Sequence, residues 1–326
     1  MLNLICDLDL NERMYKVPEK IRNCLEKEFP NIKFKYIADP NSKEILEADI
    51  YWGNRLKVLS QEKIINHNLK WVHFGSVGFE RVFKSNLNLS KLIVTNSHNT
   101  MDDGIINHAI YQIFNLIRSG YGIERIRENR KLDRKNFESY SQTIKNINKS
   151  NILIVGLGSI GIKLAEKLTL LGAKVDGIKK NIKDINIDKI NNIFDLQKLK
   201  QIVNNYDIVI SLLPYDNNLK WLYDKTFFYH MKENSFFINL GRGIHVKEKD
   251  LIEALKTRLA AAAIDVFEEE PLPSNSKLYN LKNILLSPHV AAYDPDYCEN
   301  QNELFKYNLN CFLDNDYHKM KNIINI

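Results

Sequence analysis

Short apolar runs alternate with polar stretches in which apolar residues return every third or fourth position, almost to the end of the chain. That alternation predicts parallel sheets covered by helices. In the first part, Leu2–Cys6, Phe34–Ile37, Asp49–Trp52, Trp71–Phe74 and Leu92–Thr95 read as short strands. Ile21, Leu25 and Phe29 share one face of a helix that starts after Pro18. Ile106, Ile110, Ile113 and Ile117 mark a longer helix, which runs into the charged stretch Arg118–Ser150. Beyond it come strand candidates Ile152–Val155, Ala173–Ile178, Ile208–Leu213, Phe236–Leu240, Ala261–Val266 and Ile284–Ser287. Leu304, Phe305, Leu309 and Phe312 are spaced for a closing helix.

One junction in this pattern carries chemistry. The apolar run Ile152–Val155 meets Gly156-Leu-Gly158-Ser159-Ile160-Gly161, and Ile160, Leu164, Leu168 and Leu171 then fall on one helical face, with Gly172 at the stop. Gly-x-Gly-x-x-Gly alone is a weak signal, but between a strand and a helix each glycine has a job. Gly156 allows the tight turn, Gly158 lets the backbone approach a pyrophosphate, and Gly161 lets helix and strand pack closely. The helix N-terminus offers unpaired N–H groups to the phosphates. Because this unit begins mid-chain, the expected fold is α/β: a Rossmann-type doubly wound parallel sheet inserted in a second, flavodoxin-like α/β domain. Residues 1–98 with 290–326 would form the substrate domain and residues 99–289 the dinucleotide-binding domain.

A chain of 326 residues suits two such domains. Its 44% hydrophobic and 26% charged residues are those of a soluble globular protein, and no run approaches the ~18 apolar residues of a membrane span. The N-terminal stretch MLNLICDLDLNER has acids where a secretory signal would carry positive charge. Cys6, Cys24, Cys298 and Cys311 lack metal-site or disulfide spacing, so a reduced cytoplasmic protein without a structural metal is expected. The net charge of +6 is dispersed, as in the solvated face Arg125–Lys135, and no nucleic-acid-binding signature accompanies it. Such an excess suits small anions as well as nucleic acid; without a binding signature the expected partner is a small anionic substrate, with no nucleic acid and no membrane.

Three later segments put reactive side chains at strand ends, where open α/β sheets bind ligands. Phe237-Ile-Asn-Leu-Gly-Arg242-Gly243 supplies an arginine, Ala263-Ile-Asp265-Val-Phe-Glu-Glu-Glu270-Pro271 a carboxylate cluster, and Leu286-Ser-Pro288-His289 a histidine. Separately each has a plain reading: a surface ion pair, a solvated acidic loop (which suits Glu268 and Glu269) and a structural histidine. Together, an arginine, a carboxylate and a histidine at three such strand ends can converge over a nicotinamide ring. A carboxylate beside the imidazole favours its charged form, and an arginine can hold carboxylate and carbonyl oxygens through paired donors. His73, His98, His108 and His245 have no comparable neighbours in sequence and read as structural or peripheral.

From about Trp71 to Tyr293 the chain resembles the D-isomer-specific 2-hydroxyacid dehydrogenase family, in the order of glycine loop, Leu213-Pro214, Arg, Glu-Pro and Pro-His. The resemblance implies reduction of a small 2-oxo acid or oxidation of the D-hydroxy acid, with catalytic roles for Arg242, Glu270 and His289 as substrate-orienting arginine, carboxylate partner and acid/base. Negative charge would grow on the carbonyl oxygen, so the histidinium must deliver a proton within ~2.6–3.2 Å of it. It implies that Ser76, Val77 and Gly78 form a loop whose backbone N–H groups grip the substrate carboxylate. It assigns Gly156, Gly158, Ser159, Ile160, Gly161 and Pro214 to the cofactor, with Asp265 on the nicotinamide carboxamide. A homodimer is implied too, with the stripe Ile106, Ile110, Ile113 and Ile117 as a candidate interface element. The departures are Asn107 where many relatives have Glu, Lys247 where they often have an acid, and a short glycine-free loop at Lys256. The first ~70 residues match only in their α/β rhythm.

The cofactor expected is NADP(H), with NAD(H) as the alternative. The second strand of the unit reads Lys174-Val-Asp176-Gly-Ile-Lys179-Lys180, with lysines at and after the position where an acid would bind the ribose hydroxyls and repel a 2′-phosphate. Asp176 lies inside the strand and is expected to point elsewhere. The competing function is a dinucleotide-sensing scaffold or corepressor with little turnover. A formate dehydrogenase is a weaker rival, since its relatives pair the histidine with glutamine, not with an acid such as Glu270.

Overall fold

The computed structural model describes residues 1–8, 16–39, 42–54, 68–78, 91–180 and 189–324. The chain forms two compact units: Met1–Met101 with Tyr293–Ile326, and Asp102–Ala292.

In the first unit, strands β1 (Leu2–Cys6), β2 (Ile32–Tyr36), β3 (Ile50–Gly53), β4 (Trp71–Phe74) and β5 (Ile93–Thr95) make a parallel sheet of order β2-β1-β3-β4-β5, the flavodoxin order. The β2 strand starts two residues before the expected span because its pairing with β1 runs from Leu2↔Ile32 to Cys6↔Tyr36. Helix α1 (Glu19–Glu28) follows Pro18 and buries Leu25. The closing helix, α9 (Tyr297–Leu313), lays Phe305 on two buried tryptophans, with ring centroids 4.0 Å from Trp52 and 5.2 Å from Trp71. Each such aromatic pair contributes about 0.5–1.5 kcal/mol beyond its buried area. The chain then returns to the sheet edge, where Ile323 bridges Thr95 antiparallel and the Ile324 N–H donates to the Val94 carbonyl. His73 is a core residue of β4. Its Nδ1 lies 2.6 Å from Thr95 Oγ1, and burial pushes its pKa down to about 3.

In the second unit, strands β6 (Asn151–Val155), β7 (Lys174–Ile178), β8 (Ile193–Phe194), β9 (Ile208–Ser211), β10 (Phe236–Asn239), β11 (Ala261–Ile264) and β12 (Ile284–Leu286) are all parallel, in the order β12-β11-β10-β9-β6-β7-β8. The winding reverses between β6 and β9, which defines a doubly wound sheet with its switch point beside the glycine loop. Both faces are covered, so the central strands read as largely apolar runs, as in Ile152–Val155 and Ala261–Ile264. Ile152, Ile154, Ile208 and Ile210 join one core with helices α2 (Asp102–Ile117) and α5 (Ser159–Leu170). Leu153, Val155, Val209 and Phe237 join the other with α6 (Leu199–Ile202), α7 (Lys225–His230) and α8 (Glu248–Thr257). Ile106, Ile113 and Ile117 are buried in the first core and Ile110 packs against it, so the expected interface stripe is covered by its own unit. The charged stretch after it folds as two short helices, α3 (Gly120–Glu128) and α4 (Arg134–Ser141), the second capped by the Asp133 carboxylate.

Candidate active site

The glycine loop links β6 to α5. Gly156 has φ +112°, which favours glycine, and a Cβ on it would lie 2.9 Å from the Leu212 carbonyl carbon. A Cβ on Gly161 would lie 2.3 Å from the Gly156 oxygen, so only glycine lets the helix approach the loop. Gly158 differs: a Cβ there would meet nothing within 4 Å, leaving open space over the first N–H groups of α5. Ser159 and Ile160 open the helix, and the half-exposed Leu213 and exposed Pro214 follow β9 on the adjoining edge. Unpaired helix donors beneath an open approach suit a dinucleotide pyrophosphate. At the end of β7, Lys179 is half-buried and Lys180 is exposed, its Nζ 3.8 Å from Asp216 Oδ2. Asp176 is turned to other work, accepting from the Asn192 backbone N–H at 2.9 Å and the Tyr206 hydroxyl at 2.6 Å.

The acid/base candidates meet in space. His289 Nδ1 lies 2.7 Å from Glu270 Oε2, and Glu270 Oε1 accepts from the Phe267 N–H at 3.0 Å. Burial, the largest influence on Glu270, raises its pKa. The His289 hydrogen bond, the Phe267 N–H and the charges of His289 and Arg242 outweigh it and hold the carboxyl below its usual range. With Nδ1 engaged, Nε2 is the nitrogen left to exchange a proton. Arg242 follows β10 half-buried, and its Nη1 donates to the Gly241 carbonyl at 2.9 Å. Next to it His245 is buried; burial first, then the Arg242 charge, pushes its pKa down to about 4.

His289 has φ +54°, an uncommon backbone for a residue with a side chain. Asp265 holds it there. The His289 N–H donates to the Asp265 carbonyl at 2.8 Å, and the buried Asp265 carboxylate accepts from Ser287 Oγ at 2.6 Å and from the Val290 and Ala291 N–H groups at 3.0 Å each. Asp265 therefore spends its carboxylate on the histidine loop.

Two participants carried no sequence signal. His108 Nε2 lies 3.2 Å from Ser287 Oγ and 3.9 Å from Asp265 Oδ1, so the residue read as peripheral belongs to the clamp. Burial lowers its pKa more than Asp265 raises it. Asp102, at the start of α2, accepts from Ser159 Oγ and from Lys163 Nζ at 2.8 Å, so the Ser159 side chain is engaged.

In the first unit, Ser76, Val77 and Gly78 follow β4 half-buried. Their three carbonyls are all engaged: Ser76 O accepts from the Ser97 N–H at 3.2 Å, Val77 O from Asn96 Nδ2 at 2.7 Å, and Gly78 O from Ser76 Oγ at 2.8 Å.

Comparison with known proteins agrees with this architecture. Residues 112–291 match the D-isomer specific 2-hydroxyacid dehydrogenase, NAD binding domain. The chain is 32% identical over 145 residues to glyoxylate/hydroxypyruvate reductase A of Yersinia enterocolitica, covering 44% of this chain and 46% of that protein, which is under half of its length. It is 30% identical over 228 residues to a glyoxylate/hydroxypyruvate reductase A of Arabidopsis thaliana, covering 69% of each. The crystal structure of an NADPH-dependent glyoxylate/hydroxypyruvate reductase from Sinorhizobium meliloti, in complex with NADP and sulfate, shares the fold at 21% identity, with a TM-score of 0.80 over 100% of this chain and 98% of that one. A doubly wound sheet with an open glycine loop, matched over more than half the chain, places this protein in the D-isomer specific 2-hydroxyacid dehydrogenase family.

Proposed function

We propose that the protein is an NADP(H)-preferring oxidoreductase that reduces a small 2-oxo acid to the D-2-hydroxy acid, or runs the reverse reaction. The observation that carries this reading is the His289–Glu270 pair, an imidazole held at 2.7 Å by a carboxylate that stays ionised, with its other nitrogen available. A bound reduced nicotinamide supplies the hydride. His289 Nε2 donates the proton that the reduced carbonyl oxygen takes up, and Glu270 fixes the ring and compensates its charge. Arg242 orients the substrate through its planar paired donors. Val77 and Gly78 offer backbone N–H groups to the substrate carboxylate, and Asp265, with Ser287 and His108, keeps the histidine loop in place.

The cofactor rests on the glycine loop, with Ser159 and Ile160 supplying helix N–H groups and Pro214 bordering the same sheet edge. Preference for NADP(H) is supported by Lys179 and Lys180 after β7, by the diversion of Asp176 to Tyr206 and Asn192, and by the NADP bound to the Sinorhizobium meliloti relative. We assign the protein to the cytoplasm, a reading supported by four cysteines whose positions in the sequence lack disulfide or metal-site spacing. We also assign it to a homodimer, with exposed Tyr111 on α2 and Ile123 on α3 as apolar residues that a partner would cover.

The test is absorbance at the reduced-nicotinamide band with glyoxylate, hydroxypyruvate, pyruvate and bulkier 2-oxo acids, each with NADPH and NADH. Turnover with a higher kcat/KM for NADPH is expected, and Lys179→Asp should shift it toward NADH. Cofactor binding without turnover of any acid would favour the scaffold reading, and a better kcat/KM for NADH would overturn the cofactor preference. A sedimentation mass fixed at that of one 38.1 kDa chain at all concentrations would overturn the dimer.

A further inference from the structure

Beyond β5 the chain turns through Asn96, Ser97 and His98, and Asn96 is almost wholly buried. Its amide is fixed at both ends: Oδ1 accepts from the His98 N–H at 3.3 Å, and Nδ2 donates to the Val77 carbonyl at 2.7 Å. Its backbone is fixed as well. Asn322 Nδ2 donates to the carbonyls of Asn96 at 3.1 Å and His98 at 2.8 Å, and the Asn96 N–H donates to the Asn322 carbonyl at 3.3 Å.

A trans peptide points its C=O and the following N–H in opposite directions. Ser97 takes the Ser76 carbonyl, so the Val77 N–H faces away from Ser97. Asn96 takes the Val77 carbonyl, so the Gly78 N–H faces away from Asn96. Among the described residues neither N–H meets an acceptor. Successive backbone N–H groups of this kind form an anion-binding concavity.

We propose that Asn96 is a positioning residue for the substrate carboxylate: by holding the Val77 carbonyl, it aims the Gly78 N–H at a carboxylate oxygen. The inference rests on the reading of Ser76–Gly78 as the carboxylate loop. Asn96 acts through the peptide plane and does not itself touch substrate. Selectivity for an acid over its uncharged derivatives is then set partly by a side chain on the neighbouring strand end.

The experiment compares wild type with Asn96→Asp, which still accepts from the His98 N–H but sets a carboxylate oxygen against the Val77 carbonyl. Four quantities are measured on the NADPH-loaded enzyme: KM for the best 2-oxo acid, kcat/KM for its methyl ester, the inhibition constant of oxalate, and NADPH affinity by fluorescence. Loss of one hydrogen bond to a charged group weakens binding about 10- to 150-fold. The acid KM and the oxalate constant should rise by about that factor, while ester kcat/KM and NADPH affinity stay near wild type. A merely structural role would impair all four together, and that outcome overturns the proposal. If wild type uses acid and ester equally well, the carboxylate-loop reading fails. If wild type discriminates and the variant discriminates equally, with unchanged oxalate inhibition, the role of Asn96 alone fails. Asn96→Ser, too short to reach Val77 but able to accept from His98, gives the same readout if the aspartate variant does not fold.

Discussion

Gly158→Ala separates cofactor binding from folding. The residue sits at φ −88° and ψ −164°, a backbone open to any L-residue, and a Cβ there meets no atom within 4 Å. The folded state therefore gains no clash. Replacing glycine where the backbone is compatible stabilises by about 0.4–1 kcal/mol through the unfolded chain. Alanine is a poorer N-cap than glycine by roughly the same amount. The two effects nearly cancel, so the variant should melt within about 2 °C of wild type. The methyl group, however, stands over the first N–H groups of α5, where a pyrophosphate must come. Losing one hydrogen bond to a charged phosphate costs about 1.5–3 kcal/mol, so NADPH affinity should fall about 10- to 150-fold. Titration of NADPH fluorescence, paired with thermal unfolding, reads both quantities. Gly161→Ala is the control for steric failure, because its Cβ would meet the Gly156 oxygen at 2.3 Å and the protein itself should be destabilised. A well-folded Gly158→Ala protein with unchanged NADPH affinity would refute the assignment of this loop to the cofactor.

His289→Gln should reduce kcat by ~10²–10⁴-fold while NADPH affinity holds, and near-normal turnover would remove the residue from proton transfer. Arg242→Lys keeps the charge but loses the planar fork, so KM for the acid should rise and kcat fall; a fully active lysine variant would show that a point charge suffices. The pKa of His73 is about 3 in the fold against 6.5 for a free histidine side chain, so the unfolded chain takes up the proton first. Stability of the first unit is then complete above pH ~6.5 and falls by about 1.4 kcal/mol per unit as pH drops toward 3. Urea midpoints followed by Trp52 and Trp71 fluorescence at pH 7, 5.5 and 4.5 should decline accordingly, and a flat series would contradict a neutral buried imidazole.

Local pattern was enough for most strands and for the glycine loop, because burial on both faces writes itself as apolar runs such as Ile152–Val155 and Phe236–Ile238. It was less informative for β8, where Ile193 and Phe194 make a strand too short to show a period. The stripe on α2 shows a different limit. Spacing reveals that Ile106, Ile113 and Ile117 need covering, but not whether a second chain or the same unit covers them. The Asp265 clamp was invisible for a further reason. Ser287 and Val290 stand 22 and 25 residues from Asp265, and His108 stands 179 residues from Ser287, so only the sheet order brings them together.

The return of α9 to the first unit has a consequence for synthesis. Residues 102–292 are contiguous and can close their own core as they leave the ribosome, whereas the strands from residues 1–101 must wait for residues 293–326. Until Phe305 arrives, the indole faces of Trp52 and Trp71 lack the ring that covers them in the native state. The edge strand β5 likewise lacks the bridge from Ile323 until the last residues emerge. The unit whose strands precede the other's in the chain is thus the one completed after it. A chain truncated after residue 292 should carry a finished nucleotide-binding fold and an open, aggregation-prone sheet, the natural place for a chaperone to act.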